Sequence, residues 1–342
     1  MNYVFQQYVP HVSKKDLTDT IRNSYPISFI LMITKNKTST EYHTLKEKTI
    51  VDMGIPSQCI TERNIAISEK KSSILKNITI EMNAKLGGIP WMTSIPMKPH
   101  TMIVGMDVNH SGEVYHRSKS SLVGFVSSYD SKVCAYYSQI QVQKPGVELV
   151  ENIKNLMRNA IENFMNENKT SPTHIIFYRD GVGSGQEDHI YNQEILAIQQ
   201  VCKEYNSIPL NFILVLKRIN NRIYAGLNGN NFGNLKPGTV LDGDILTSDP
   251  NEMSFFLQSH HVDSFQGTAT PTRYKVLENG SGFNKVFYQN ISYQLCHLYY
   301  NRLGISSVPV PCILAHKVAF LHGQSNISKS PHKNLNKKQY YL

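Results

Sequence analysis

A chain of 342 residues, 40% of them hydrophobic and nineteen of them tyrosine, is long enough for two domains with sizeable cores and too apolar for a disordered chain. Lys plus Arg number 35 against 26 acids, and the resulting net charge of +9 points to a polyanionic partner. The five cysteines (Cys59, Cys134, Cys202, Cys296, Cys312) are odd in number and form no C-x-x-C pair, which excludes a disulfide frame or a thiolate zinc site; the longest apolar runs are too short to span a bilayer, so a soluble cytoplasmic or nuclear protein is expected, with no membrane partner.

Residues 1–95 read as one α/β unit. Ser28 to Ile33 spells a buried strand, and Thr40 to Met53 mixes apolar and charged positions as a helix does. Tyr42 and Lys46 lie four apart, so a helix sets them side by side. A ring beside an ammonium group can stack a terminal base and pair with its phosphate; a solvated lysine next to a half-buried tyrosine fits the same spacing. Pro56-Ser-Gln-Cys-Ile60 reads as a turn into a short strand. Leu75 to Lys85 reads as a helix stopped by Leu86-Gly-Gly-Ile-Pro90. The Pro/Met-rich stretch from Trp91 to Pro99 marks the domain boundary.

Beyond it, Thr101 to Asp107 is an apolar strand ending in an acid. Ser120 to Ser128 and Lys132 to Ser138 extend it into a three-strand meander. Pro145-Gly146 opens a long amphipathic helix with Leu149, Ile153, Leu156, Met157, Ala160 and Phe164 on one face and Glu148 and Glu151 outside it. Ile175 to Tyr178 reads as a strand buried on both faces, and it delivers Asp180 into a loop with Gly181, Gly183 and Gly185. Glycines after a strand are the mark of a nucleotide-binding turn, but no Lys-Ser/Thr follows here, and an acid at the loop's start repels phosphate unless a metal intervenes. Glu187 to Tyr205 is helical in pattern, and Leu210 to Leu216 is a buried strand followed by Lys217, Arg218 and Arg222. The stretches 237–241 and 267–271 read as loops and short strands. Val286 to Leu303 and Ile313 to Leu321 read as helices, the second containing His316. Tyr340-Tyr341-Leu342 ends the chain apolar, as a docked terminus does.

Asp107 and Asp180 end two separate apolar strands. On neighbouring strands their carboxylates could share two magnesium ions about 4 Å apart, the arrangement that clamps an in-line phosphodiester displacement. Ordinary turn chemistry also places acids at strand ends.

Tyr178-Arg-Asp-Gly-Val-Gly-Ser-Gly-Gln186, Gly105-Met-Asp-Val108, Gln266-Gly-Thr, Tyr293-Gln-Leu-Cys-His297 and Ala315-His-Lys-Val-Ala-Phe-Leu321 together resemble the Piwi domain of the Argonaute superfamily. The Tyr-Arg-Asp-Gly-Val and Ala-His-Lys-Val-Ala-Phe-Leu wording, with Gly-Gln-Ser325 after it, leans to the Piwi branch. The first unit resembles the family's Mid domain through Pro56-Ser-Gln-Cys59 and Asn83-Ala-Lys-Leu-Gly-Gly88. The resemblance implies an α/β protein, a Rossmann-like Mid domain over 1–95 followed by an RNase H-like Piwi domain over 96–342, and guide-directed cleavage of RNA in gene silencing.

Carried onto this chain, the resemblance makes Asp107, Asp180 and His316 ligands for Mg²⁺ or Mn²⁺. His316 read alone is an ordinary core histidine. The family's glutamate finger falls on Glu148, with Glu151 as competitor, and would orient the water that attacks the target phosphate, leaving 5′-phosphate and 3′-hydroxyl ends. Tyr42, Lys46, Gln58 and Lys85 match the pocket for the guide's 5′-phosphate, which the Leu342 carboxylate is expected to reach. Glu81 stands where the Piwi branch has an amide, and two carboxylates beside a phosphate call for a bridging cation, so Glu81 and Leu342 become a candidate structural Mg²⁺ site. No room precedes residue 1 for the family's N-terminal and PAZ regions, so the expectation is a fragment or a short form that grips guides by the 5′ end. The expected partners are a small 5′-phosphorylated guide RNA, a complementary target RNA and auxiliary silencing proteins around a monomer. A guide-dependent binding module that does not cut is the alternative, and a guide-independent RNase H-type nuclease a second.

Overall fold

The computed structural model describes residues 27–35, 40–66, 71–110, 120–181, 183, 185–217, 219–226, 232–243, 252–262, 267–325 and 327–342. Val182, Ser184, Arg218 and Gln266 of the stretches named above lie outside them.

Three apolar runs form the centre of the main sheet: β3 (Thr101–His110), β6 (His174–Asp180) and β7 (Leu210–Leu216) are parallel neighbours. They read as continuous apolar runs because both faces are covered. On β3, Met102, Val104 and Met106 face one core while Ile103 faces the other. The meander follows as expected, β4 (Ser121–Ser128) and β5 (Tyr136–Gln143) running antiparallel beyond β3. Past β7 come β12 (Thr272–Asn279), β11 (Met253–Gln258) and β10 (Thr239–Leu241), all antiparallel. The eight-stranded order is β10-β11-β12-β7-β6-β3-β4-β5.

In the N-terminal unit, β1 (Ile30–Thr34) pairs in parallel with β2 (Ser57–Thr61) beside α1 (Thr40–Glu47) and α2 (Lys71–Lys85). The run read as a buried strand is only half covered there, with Ile33 55% exposed. One face of the large sheet carries α3 (Ile153–Asn168) and α4 (Leu196–Glu204); the other carries α5 (Lys285–Leu295) and α6 (Val310–Gln324). The N-terminal unit shares this second core, where Ile50 and Ala84 join Leu314, Tyr340 and Tyr341. The connector is tied down too, Trp91 Nε1 donating to the His297 carbonyl (2.6 Å) and Thr93 to Gln294 (2.6 Å).

Several boundaries differ from the sequence pattern for identifiable reasons. The strand expected from Lys132 begins only at Tyr136, because the Asp130 carboxylate accepts the Cys134 and Ala135 amides (2.9 Å each) and folds a turn. The helix expected from Pro145-Gly146 begins at Ile153, since the Val150 amide donates to the Glu194 carboxylate (3.1 Å) instead of a helical carbonyl. Glu148 and Glu151 are therefore loop residues. Thr40–Met53 and Glu187–Tyr205 each contain a π-helical turn, Lys48–Met53 and Tyr191–Ile195. The helix read as Val286–Leu303 ends at Leu295.

Glycine sets how closely α6 approaches the sheet. A Cβ at Gly105 would stand 2.2 Å from the Pro311 carbonyl oxygen, and one at Gly124 1.9 Å from that of Ala315. Only bare backbone admits the helix at this depth, and the depth brings the next residue, His316, to the end of β3.

Candidate active site and anion pocket

β3 and β6 pair through Met106–Arg179, so Asp107 and Asp180 follow at the same level on adjacent parallel strands. Asp180 ends β6, whereas β3 does not stop at Asp107 as its apolar pattern suggests but runs on to His110, because β4 goes on pairing with it. Both are buried, Asp180 completely. His316 Nδ1 is hydrogen-bonded to Asp107 Oδ2 at 2.7 Å, and Lys217, just past β7, places Nζ 2.6 Å from Asp180 Oδ2. Gly181 turns with φ +90°, and a Cβ there would lie 2.8 Å from Asp107 Oδ1 and 3.7 Å from Glu148 Oε1, so the turn and both acids converge. The Asp180 carboxyl is pushed up to about 6; burial is the main cause, Lys217 opposes it and the Asp107 charge adds to it.

Glu148 is already turned into this group. Its Oε1 lies 2.8 Å from an Arg179 guanidinium nitrogen, and its Oε2 is 2.8 Å from His110 Nε2. Arg179 also donates to the Glu148 carbonyl (2.8 Å), which fixes the loop as well as the side chain. Arg179 is fully buried and sits against fully buried Glu194 (3.1 Å). Burial works against its charge, and the Glu194 and Glu148 carboxylates more than offset it. Glu151 is exposed and lies outside this set.

Among the described residues, no three His, Cys, Asp or Glu side chains already stand as a metal-binding group. The donor chemistry nevertheless fits a hard divalent cation, with two buried carboxylates and an imidazole. Asp180 Oδ2 and Glu148 Oε1 each lie beside one cationic side chain, Lys217 and Arg179 respectively.

The second cluster lies in the N-terminal unit. Lys46 Nζ donates to the Ser57 carbonyl (2.9 Å) and hydroxyl (3.1 Å) and stands 5.8 Å from the Tyr42 ring centroid. Lys85 Nζ donates to the same carbonyl (3.1 Å) and to Gln58 Oε1 (2.5 Å), while Gln58 Nε2 donates to Glu81 (3.0 Å). Burial holds the Lys46 ammonium below its ordinary range; Lys85 is pushed further down by burial and by Lys46. Burial raises the Glu81 carboxyl, opposed mainly by Lys85, and Lys317 of α6 contributes from across the core. Burial pushes the Tyr42 phenol up to about 12. The four residues read as a phosphate pocket thus meet, with Glu81 pointing in. Leu342 is half-buried against the core, its amide donating to Gln339 (3.2 Å); among the described residues no hydrogen bond or ion pair joins it to Glu81.

The family model for the Piwi domain matches residues 28–327. The Piwi-like protein Siwi of Bombyx mori is 37% identical over 319 residues, 92% of this chain and 34% of Siwi. The chain belongs to the Piwi branch of the Argonaute superfamily. It spans about a third of the length of the curated Piwi relatives it matches. The crystal structure of Drosophila Piwi superimposes with TM-score 0.83 at 30% identity, over 96% of this chain and 44% of that one. The Kluyveromyces polysporus Argonaute with a guide RNA shares the fold, with TM-score 0.83 at 24% identity over 96% of this chain and 41% of that one. The large sheet is accordingly an RNase H-like Piwi fold.

Within this Piwi chain, sequence reasoning misses the residues that hold the others in place. Arg179 and Glu194 lie fifteen apart and meet only in the fold. The signal for Arg179 is a charge adjoining an all-apolar strand run. His110 and Lys217 carry none, since a polar residue just past an apolar run is ordinary.

Proposed function

We propose that this chain binds a small guide RNA by its 5′-phosphate and cleaves complementary RNA as part of RNA-mediated silencing. The observation that carries the reading is the meeting of Asp107, Asp180 and His316 with Glu148 already turned toward them, in a member of the Piwi branch. Asp107, Asp180 and His316 would hold Mg²⁺ or Mn²⁺, which when bound supplies charge stabilisation for the attacking and leaving oxygens. Glu148, steadied by Arg179 and His110, orients the attacking water and accepts its proton. Tyr42 stacks the unpaired first base of the guide. Lys46 and Lys85 exchange the carbonyl, hydroxyl and amide oxygens they now hold, and Gln58 the Glu81 carboxylate, for oxygens of the terminal phosphate. Glu81 and the Leu342 carboxylate stand as donors for a second, structural cation beside that phosphate.

The test is to load the chain with a 5′-phosphorylated guide RNA and add a matched and a mismatched RNA target in Mg²⁺. Cleavage of the matched target alone, at one position, is the expected result. A chain that loads guide and holds target without cutting it is a guide-dependent binding module, and cutting without guide sinks the guided mechanism altogether.

A further inference from the structure

Each aspartate that would hold a cation has a donor from the fold against it. Asp107 Oδ2 is held by His316 Nδ1 at 2.7 Å, and Asp180 Oδ2 lies 2.6 Å from Lys217 Nζ. The two arrangements are unequal. His316 is itself a candidate ligand, so it can stay when a cation arrives. Lys217 brings a positive charge to the oxygen that the cation needs. Asp180 is fully buried, and the ammonium of Lys217 is what compensates its Oδ2. The Lys217 side chain is 40% exposed where Asp180 is not exposed at all, so the ammonium reaches in from the solvent side. Its backbone follows directly on β7, whose Val215 pairs with Asp180. The anchor is rigid and only the flexible four-carbon stem has to move.

We propose that Lys217 is a built-in occupant of the cation site: it sits on Asp180 in the RNA-free chain, gives way when a divalent cation binds, and is drawn off by a phosphodiester of bound RNA. The inference rests on the reading of Asp107, Asp180 and His316 as cation ligands. An ammonium and a divalent cation repel one another across a shared carboxylate oxygen in a buried site, so one excludes the other. Once displaced, Lys217 presents three N–H donors at the mouth of the site, where a phosphodiester supplies a charge-assisted acceptor in place of Asp180. RNA and cation then bind with positive linkage, each raising the affinity of the other by the same factor. Without RNA, Asp180 keeps the ammonium of Lys217.

Mn²⁺ binding to the whole chain, followed by the electron paramagnetic resonance of free Mn²⁺, tests this without any turnover. In the absence of RNA, Lys217→Met should tighten Mn²⁺ binding about tenfold, because a competing charge is gone. Lys217→Arg keeps a cation on Asp180 and should bind as the wild type does. Lys203→Met, which removes an exposed charge on α4, should also leave Mn²⁺ affinity unchanged. A guide paired with a target made uncleavable by 2′-O-methylation should tighten Mn²⁺ several-fold in the wild type and much less in Lys217→Met. Unchanged or weaker Mn²⁺ binding in Lys217→Met, tightening of the same size in Lys203→Met, or equal gains from RNA in both chains overturns the proposal alone. Asp180→Asn should abolish the bound Mn²⁺; if it does not, the cation-ligand reading fails and this inference falls with it.

Discussion

The acid centre and the anion pocket are built alike and rest in opposite states. In each, a pair of parallel strands, β3 with β6 and β1 with β2, meets side chains from helices packed over it. In the acid centre each carboxylate already has a polar side chain of the fold against it, Lys217 on Asp180, His316 on Asp107 and Arg179 with His110 on Glu148. The anion pocket differs. Lys46, Lys85 and Lys317 face the single carboxylate of Glu81, and Lys46 and Lys85 are satisfied by neutral carbonyl, hydroxyl and amide oxygens. Burial accordingly pushes these lysines down as it pushes Asp180 up. The lesson is one of charge: under the proposed function the first site sheds a resident ammonium before it takes a cation, whereas the second, with more lysines than carboxylates facing one another, takes an anion directly.

The largest effect should come from breaking the acid centre alone. Asp180→Ala is expected to lower guide-directed cleavage by on the order of a thousandfold or more while guide affinity, measured by filter binding, stays at the wild-type value. Glu148→Ala should match it, and exposed Glu151→Ala should stay within about twofold, since nothing in the site touches it. A loss of guide affinity in Asp180→Ala would show that the two clusters are not separable.

Breaking the anion pocket should give the converse. Lys46→Ala with Lys85→Ala is expected to weaken 5′-phosphorylated RNA by about 1.5–3 kcal/mol for each charge-assisted hydrogen bond removed, and scarcely to affect 5′-hydroxyl RNA. Equal losses for both RNAs would reduce the two lysines to general basic surface. That outcome would erase the contrast between the clusters.

The smallest effect sharpens the comparison through pH. A cation needs Asp180 ionised, and burial pushes its carboxyl up to about 6. Protons therefore compete below about 6: Mn²⁺ affinity should be level from pH 8 to 7 and then fall about tenfold for each unit below 6, as one-proton competition requires. An affinity unchanged down to pH 5 would show that Asp180 titrates in the ordinary range despite its burial.

Much of this is legible in the residues. β3, β6 and β7 announce themselves because a strand covered on both faces needs a continuous apolar run, and Asp180 marks where β6 stops, while Asp107 interrupts a run that goes on through Val108 to His110. β11 and β12 are not legible, since strands toward an edge mix polar and apolar positions as loops do; Arg273 and Lys275 on β12 pair with Glu252 instead of filling a core. The start of α3 is obscured because the apolar spacing from Leu149 continues through a loop. The cause, Glu194 accepting the Val150 amide, lies forty-four residues further on.

By itself the sequence determined the family and the apolar runs of β3 and β6 that carry Asp107 and Asp180, and its motifs singled out Tyr42, Lys46, Gln58 and Lys85 as a group, because these are matters of local pattern and residue type. Only the tertiary structure decided what each charge rests against. That Asp180 holds Lys217, that Arg179 is gripped between Glu148 and Glu194, and that Gly105 and Gly124 let α6 bring His316 onto Asp107 are contacts between segments far apart in the chain. Burial removes the water that would otherwise neutralise these groups, so each one's state depends on the neighbour the fold supplies.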